Sequence, residues 1–170
     1  RKIDNTYIVR LNKGAEIISA IKDFCTSNNI KVGIVQGIGA INTATFGFFN
    51  PETKEYNEKL FEGPREITSL LGNISTKNGE TYLHLHMNAS GSDYNTIGGH
   101  LINATISLTG EIFITPINGT VERKFCNGEW KNVILREMKS NTTPNPNQAP
   151  AVLIASPIAD FGPLDWGLEG

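Results

Sequence analysis

Cysteine and long apolar runs are both scarce in this sequence, and each scarcity excludes a class of protein. The 170 residues contain only two cysteines, Cys25 and Cys126, which are far apart and lack C-x-x-C spacing. Disulfide-stabilised scaffolds contain many more, so we interpret both as reduced core thiols of a cytoplasmic protein. No apolar run is long enough to cross a bilayer, and we therefore expect no membrane partner.

An excess of basic residues is also missing. Fifteen Lys and Arg face seventeen Asp and Glu, which gives a net charge of −2. The basic residues, among them Arg65, Arg123 and Lys139, are dispersed and form no stripe. Affinity for nucleic acid comes largely from cations that neutralise phosphates. DNA is therefore a partner that the charge of this chain does not favour.

The hydrophobic fraction of 39% is ordinary for a globular chain, and the length predicts one principal domain. We place this domain at residues 1–139. Residues 140–150 are rich in Pro and Asn and predict an extended linker. Residues 151–170 follow as a C-terminal extension. It contains Phe161, Leu164 and Trp166, so we expect it to dock on the domain or on a neighbouring subunit.

One segment, residues 15–27, has the periodicity of an amphipathic helix. Its apolar residues recur on a single stripe, which consists of Ile17, Ile18, Ile21, Phe24 and Cys25. Glu16 lies at the start, where the helix dipole favours an anion, and Asn28-Asn29 is a suitable end. The pattern predicts a helix that packs on the core and carries no catalytic or binding residue.

Most of the remaining chain has the pattern of β-strands separated by turns. The predicted strands are residues 6–11, 32–35, 43–49, 54–61, 66–74, 81–87, 100–116, 121–125 and 130–135. Asn78-Gly79 and Asn127-Gly128 predict hairpin turns. Gly37 and Gly39 interrupt an apolar stretch, and there we expect a bulge or a close backbone approach rather than a dinucleotide site.

All three histidines lie in one short region, at His84, His86 and His100. Side chains alternate along a strand, so His84 and His86 project from the same face while Leu85 and Met87 take the other. A third imidazole from a neighbouring strand can complete a three-histidine zinc site with one open position. The alternative interpretation is a polar ladder that faces solvent or a subunit interface.

The second strand poses a difficulty for the zinc interpretation. Simple alternation aligns His100 with Ile102, Ala104 and Ile106, which form an apolar set. Either a kink at Gly98-Gly99 redirects His100, or the apolar face of this strand is buried beside the metal site as well. The sequence leaves both explanations open.

With these residues assembled, the chain resembles the plants-and-prokaryotes-conserved (PPC) domain over about residues 7–135. The resemblance rests on LNKGAEIISAIKDFC, VQGIGAINTATFGFF, GPREITSLLGNIS, LHLH, and GGHL followed by EIF. It implies an α+β fold with a mainly antiparallel sheet, one packed helix and assembly as a trimer. It also implies that His84, His86 and His100 bind metal.

Two departures from plant members of this family limit what the resemblance implies. Plant members carry AT-hooks, but this sequence has no R-G-R-P hook to enter a minor groove. The plant segment linked to partner interaction matches residues 63–68, where this chain has Pro64 and Arg65 instead of the plant pattern. We therefore do not carry the role in partner binding over to residues 63–68.

Two functions from different classes follow. The first is a metal-binding, trimeric module that acts by interaction in DNA binding or regulation, with an unknown protein or small ligand as partner. The second is a zinc-dependent enzyme in which the open position activates water. In that case Glu66 or Glu111 would be the base or would orient a ligand, and Glu66 is favoured because it belongs to the family motif EITSL.

Overall fold

The computed structural model describes residues 1–123 and 133–136, the latter by backbone alone. These residues form β1 (Lys2–Ile3), β2 (Thr6–Asn12), α1 (Ile17–Ser27), β3 (Gly33–Phe49), β4 (Tyr56–Lys77), β5 (Glu80–Ser90), β6 (Thr96–Pro116), β7 (Thr120–Arg123) and β8 (Val133–Arg136). The predicted turn at Asn127-Gly128, Cys126, the linker and the C-terminal extension lie outside the described residues.

The strands form a single, mainly antiparallel sheet. β3 pairs with β4 and β6 along most of its length, and β5 pairs with both β4 and β6. The four long strands therefore pair in a closed ring. β2 extends the sheet beyond β6, and β7 joins β4 by a short parallel pairing. The predicted α+β fold, a mainly antiparallel sheet with one packed helix, is confirmed.

Two long strands each replace two predicted short ones, so this part of the strand prediction was wrong. β3 runs through the glycines at 37 and 39, where the register with both neighbours shifts as expected for a bulge. β4 continues through Gly63, whose φ of 101° falls in the region that favours glycine. Glycine at these sites bends a strand without ending it.

Helix α1 begins after Glu16, and the side chain of this residue caps it. Glu16 Oε1 accepts a hydrogen bond from the backbone N–H of Ile18 at 2.9 Å, and Oε2 accepts one from that of Ser19 at 2.7 Å. Oε1 also accepts from the backbone N–H of Ala104 at 3.3 Å, so the cap joins the helix to β6. The helix ends at Ser27, and Asn28 is its C-cap, as the sequence predicts.

The helix covers one face of the sheet. Ile17, Ile21 and Cys25 are fully buried on its apolar stripe. Burial raises the pKa of the Cys25 thiol to about 11, which agrees with the reduced core thiol that we predicted. No helix among the described residues is long and apolar enough to span a membrane.

The opposite sheet face carries large apolar side chains that nothing in the described chain covers. On β3, Ile34 and Ile38 are 44% and 55% exposed, and they flank Gln36. Gln36 pairs with Leu71 of β4 on one side and with Phe113 of β6 on the other. We call these four apolar residues, Ile34, Ile38, Leu71 and Phe113, the outer apolar patch.

The cap predicts a specific stability effect. Replacing Glu16 with Ala removes the acceptor for two helix N–H groups and the link to β6, and we expect the free energy of unfolding to fall by about 1–2 kcal/mol. Urea denaturation would measure this change. Asp23→Ala, an exposed change in the same helix, should stay within about 0.5 kcal/mol of the unsubstituted protein. Equal stability of the two variants would contradict the assigned cap.

Candidate metal centre

Two of the three histidines come from β5, as alternation predicts. Leu85 and Met87 are buried against the core, whereas His84 is half-buried and His86 is exposed on the other face. β5 follows β4 through the predicted Asn78-Gly79 hairpin turn, and the two strands pair from Lys77 and Glu80 onward. A local turn and simple alternation are therefore sufficient to present both imidazoles on one surface.

The third histidine lies directly opposite the second. The pairing of β5 with β6 makes His86 and His100 register partners. The ring centroids are 5.0 Å apart for His84 and His100, 5.2 Å for His84 and His86, and 5.5 Å for His86 and His100. One nitrogen from each ring lies within 4.8 Å of those from the other two. The structure thus brings all three sequence-predicted ligands together.

A bulge at Ile102 explains how His100 avoids the core. Thr45 of β3 pairs with Asn103 and Phe46 pairs with Leu101, so Ile102 is an extra residue on β6. Before the bulge, His100 faces outward and Leu101 faces the core. Ile102 itself faces outward, and beyond it Ala104 and Ile106 face the core. Alternation runs unbroken through Gly98-Gly99, so neither explanation offered by the sequence applies.

The histidines line an open cleft of about 830 Å³. The other described residues that line it are Gly47, Phe48, Phe49, Tyr56, Lys77, Tyr82, Gly99, Ile102 and Arg123. Gly47 is opposite His100 in the sheet, and any Cβ there would overlap the ring of Tyr56. Tyr56 in turn packs edge-on against His100, with centroids 6.0 Å apart.

Burial and neighbouring cations favour neutral imidazoles in this cleft. Burial lowers the pKa of His84 to about 4, with further contributions from the charges of Arg123, His100 and His86. Burial also lowers the pKa of His100, assisted by His86 and Arg123. At neutral pH both rings therefore carry no charge, which is the form that binds a metal ion.

Arg123 is a cleft residue that the sequence did not indicate. Its Nη2 lies 2.6 Å from Nδ1 of His84, and its Cζ lies 4.6 Å from the centre of the Tyr82 ring. The parallel pairing of β7 with β4 places Arg123 beside Lys77. In the sequence it was one of several dispersed basic residues, and no local pattern distinguished it. Tyr82 was foreseeable, because it aligns with His84 and His86 on β5.

The two carboxylates suggested for catalysis lie away from the histidines. Glu66 is exposed and pairs with Ser90, four residues along β5 from His86, a separation of about 13 Å. Glu111 pairs with Arg10 and Ile38, and roughly 35 Å of strand separates it from His100. The described residues that line the cleft include neither Asp nor Glu.

The donor set fits a zinc ion. Three imidazoles are ligands that zinc accepts, and they leave one position of a tetrahedron open. Nitrogens around a tetrahedral zinc lie about 3.3 Å apart, so separations up to 4.8 Å require small ring rotations. Beside the histidines, Arg123 Nε is a buried donor for which the described residues provide no hydrogen-bond partner.

Solved structures with the same fold define the class of protein. A candidate DNA-binding protein of Bacteroides thetaiotaomicron VPI-5482 is 40% identical, with a TM-score of 0.75 over 80% of this chain and 94% of the other. A plant- and prokaryote-conserved protein of Pyrococcus horikoshii is 32% identical, with a TM-score of 0.69 over 79% of this chain and 93% of the other. A metal-containing protein of Archaeoglobus fulgidus is 31% identical, with a TM-score of 0.71 over 80% of this chain and 96% of the other.

The sequence comparison identifies the family. Residues 1–118 match the Plants and Prokaryotes Conserved (PCC) domain, also abbreviated PPC. The chain belongs to this family, and the resemblance inferred from its motifs is confirmed. No protein with a curated description matches the chain.

Proposed function

We propose that this protein is a metal-binding PPC module that holds one zinc ion per chain on His84, His86 and His100 and assembles as a trimer. The observation that carries the metal assignment is the convergence of all three histidines of the chain at one point. Imidazole nitrogens are favoured ligands of zinc. The naming of the related Archaeoglobus protein as metal-containing supports the same assignment.

Binding is favoured over hydrolysis as the role of the metal. An enzyme that activates a zinc-bound water commonly uses a carboxylate within hydrogen-bond reach of that water. Glu66 lies about 13 Å along the sheet from His86, and the described residues that line the cleft include no carboxylate. The metal therefore acts here as a binding centre whose open position accepts a ligand.

The outer apolar patch supports the trimer. Leu71 and Phe113 are 54% and 43% exposed, and with Ile34 and Ile38 they surround Gln36 on the central strands. Exposed patches of this kind mark association surfaces. A closed ring of identical chains would cover the patch in every copy and expose no further one.

Direct recognition of DNA is the weaker part of the proposed interactions. The related Bacteroides protein is named as a candidate DNA-binding protein, and this chain has a net charge of −2. A role in regulation would then proceed through the assembled module and a protein or small ligand. Any contact with DNA would be electrostatic and independent of sequence.

Metal analysis tests the site. Protein purified without a polyhistidine tag and supplemented with zinc should contain about one equivalent per chain, bound through nitrogens at about 2.0–2.1 Å. His86→Ala should weaken zinc binding by more than the roughly 100-fold that losing an outer hydrogen-bond partner can cost. Asn88→Ala, on the same strand and face, is the control and should bind as the unsubstituted protein does. Less than about a tenth of an equivalent would exclude the site.

Light scattering tests the assembly. At micromolar concentration we expect three times the mass of one chain, and Phe113→Asp should lower the mass because it puts a charge in the outer apolar patch. Tyr94→Asp changes a residue that is 88% exposed in the turn between β5 and β6, and it should leave the mass unchanged. A monomer mass for the unsubstituted protein would refute the trimer.

A gel-shift assay at physiological salt tests the contact with DNA. We expect a dissociation constant of about 10⁻⁴–10⁻⁶ M or weaker, equal for unrelated sequences, because the chain lacks a basic excess. Raising the salt concentration should weaken this binding steeply. Nanomolar binding to one sequence in preference to others would show instead that the protein reads DNA directly.

A further inference from the structure

The hydrogen bond between Arg123 and His84 can have only one direction. A guanidinium has only donors, so Nη2 of Arg123 donates and Nδ1 of His84 accepts at 2.6 Å. The accepting nitrogen must then be unprotonated, and the neutral ring carries its single proton on Nε2. Arg123 thereby fixes the tautomer of His84.

This tautomer is incompatible with a bound metal ion. An ion on Nδ1 would use the lone pair that accepts from Arg123. An ion on Nε2 would require the ring proton to move to Nδ1, which could then no longer accept. Whichever nitrogen of His84 binds the ion, the hydrogen bond from Arg123 must break. Arg123 and the metal therefore compete for His84.

A displaced Arg123 needs a new partner. It would remain near a dication in a cleft whose described lining residues include no carboxylate. No described residue accepts a hydrogen bond from its buried Nε. The Cζ lies 4.6 Å from the ring centre of Tyr82, which keeps the guanidinium at the mouth of the metal site. An anion that bridges the metal and the guanidinium would satisfy both charges.

The walls of the cleft indicate what the rest of that anion looks like. Phe48, Phe49 and Ile102 line it together with Tyr56, and Phe48 is 66% exposed. A volume of about 830 Å³ lies within the range of small-ligand sites. A guanidinium binds a carboxylate with two parallel hydrogen bonds, and the apolar walls suit a carboxylate with an apolar or aromatic body.

We propose that Arg123 donates a hydrogen bond to His84 in the metal-free protein and that metal binding breaks this bond. The released guanidinium and the metal then together bind a small carboxylate that has an apolar body. This inference rests on the proposed metal site, and it specifies the class of ligand at its open position. Metal and carboxylate must then strengthen each other's binding by the same factor, because coupling between two ligands is reciprocal.

Calorimetric titration of zinc, with and without benzoate as the probe, tests the coupling. We expect benzoate to tighten zinc binding by about tenfold, within the usual range for coupled sites. Acetate, which has the same charged group without the ring, should have a smaller effect. An equal effect of acetate and benzoate would overturn the assignment of an apolar body.

Arg123→Met separates the competing and anchoring roles of the guanidinium. Without benzoate, this variant should bind zinc about tenfold more tightly than the unsubstituted protein, because a charged donor no longer holds His84. Benzoate should then have little further effect. Arg10→Met, the same change at an exposed arginine on β2, is the control and should behave as the unsubstituted protein does.

The outcomes distinguish this inference from the metal site itself. Zinc binding that benzoate leaves unchanged, or that weakens in Arg123→Met without benzoate, would overturn the inference and leave the metal site intact. Circular dichroism would confirm that Arg123→Met remains folded. No zinc binding in the unsubstituted protein, with or without benzoate, would refute the metal site and the inference together.

Discussion

The register between β5 and β6 is the constraint on which the candidate site depends. It sets His86 opposite His100, and alternation along β5 adds His84 two residues away. If β5 shifted by one residue against β6, His84 and His86 would move to the opposite face of the sheet from His100. The hairpin between β5 and β6 and the bulge at Ile102 set which side chains of β6 face outward. They allow His100 to face outward while Ala104 and Ile106 face the core.

The same register relates the cleft to the outer apolar patch. Leu71 of the patch is the β4 partner of His86, so the two features adjoin on one side of the sheet. The helix covers the other side, where Ile17, Ile21 and Cys25 are buried. A chain that associates through the patch would therefore bring its histidine cleft to the edge of the interface. Ligand binding in the cleft and assembly would then involve neighbouring surfaces.

What the sequence could predict was set by short-range patterns. Period-two alternation identified His84 and His86, helical periodicity identified α1, and Asn78-Gly79 identified the β4–β5 turn. Each of these signals lies within a few residues of the feature that it specifies. The short region that holds all three histidines also indicated His100. The family motifs added the mainly antiparallel arrangement of the sheet, because they carry information about the fold that no single segment contains.

Features that depend on pairing between distant segments were not predictable. The extra residue at Ile102 is visible only when β6 is aligned with β3, and the continuity of β3 and β4 depends on their pairing with each other. Arg123 reaches His84 because β7 joins β4 in parallel, 46 residues after Lys77 in the chain. Glu66 was suggested by a motif, yet its register with Ser90 keeps it away from the histidines.

The crystal structure of the zinc-loaded protein, with diffraction measured at the zinc absorption edge, tests the account most directly. We expect one anomalous peak per chain at about 2.0–2.1 Å from a nitrogen of each of His84, His86 and His100. The guanidinium of Arg123 should then have moved beyond hydrogen-bond distance of His84 Nδ1. A peak elsewhere in the chain, or a zinc ion on His84 with the contact to Arg123 retained, would contradict the account.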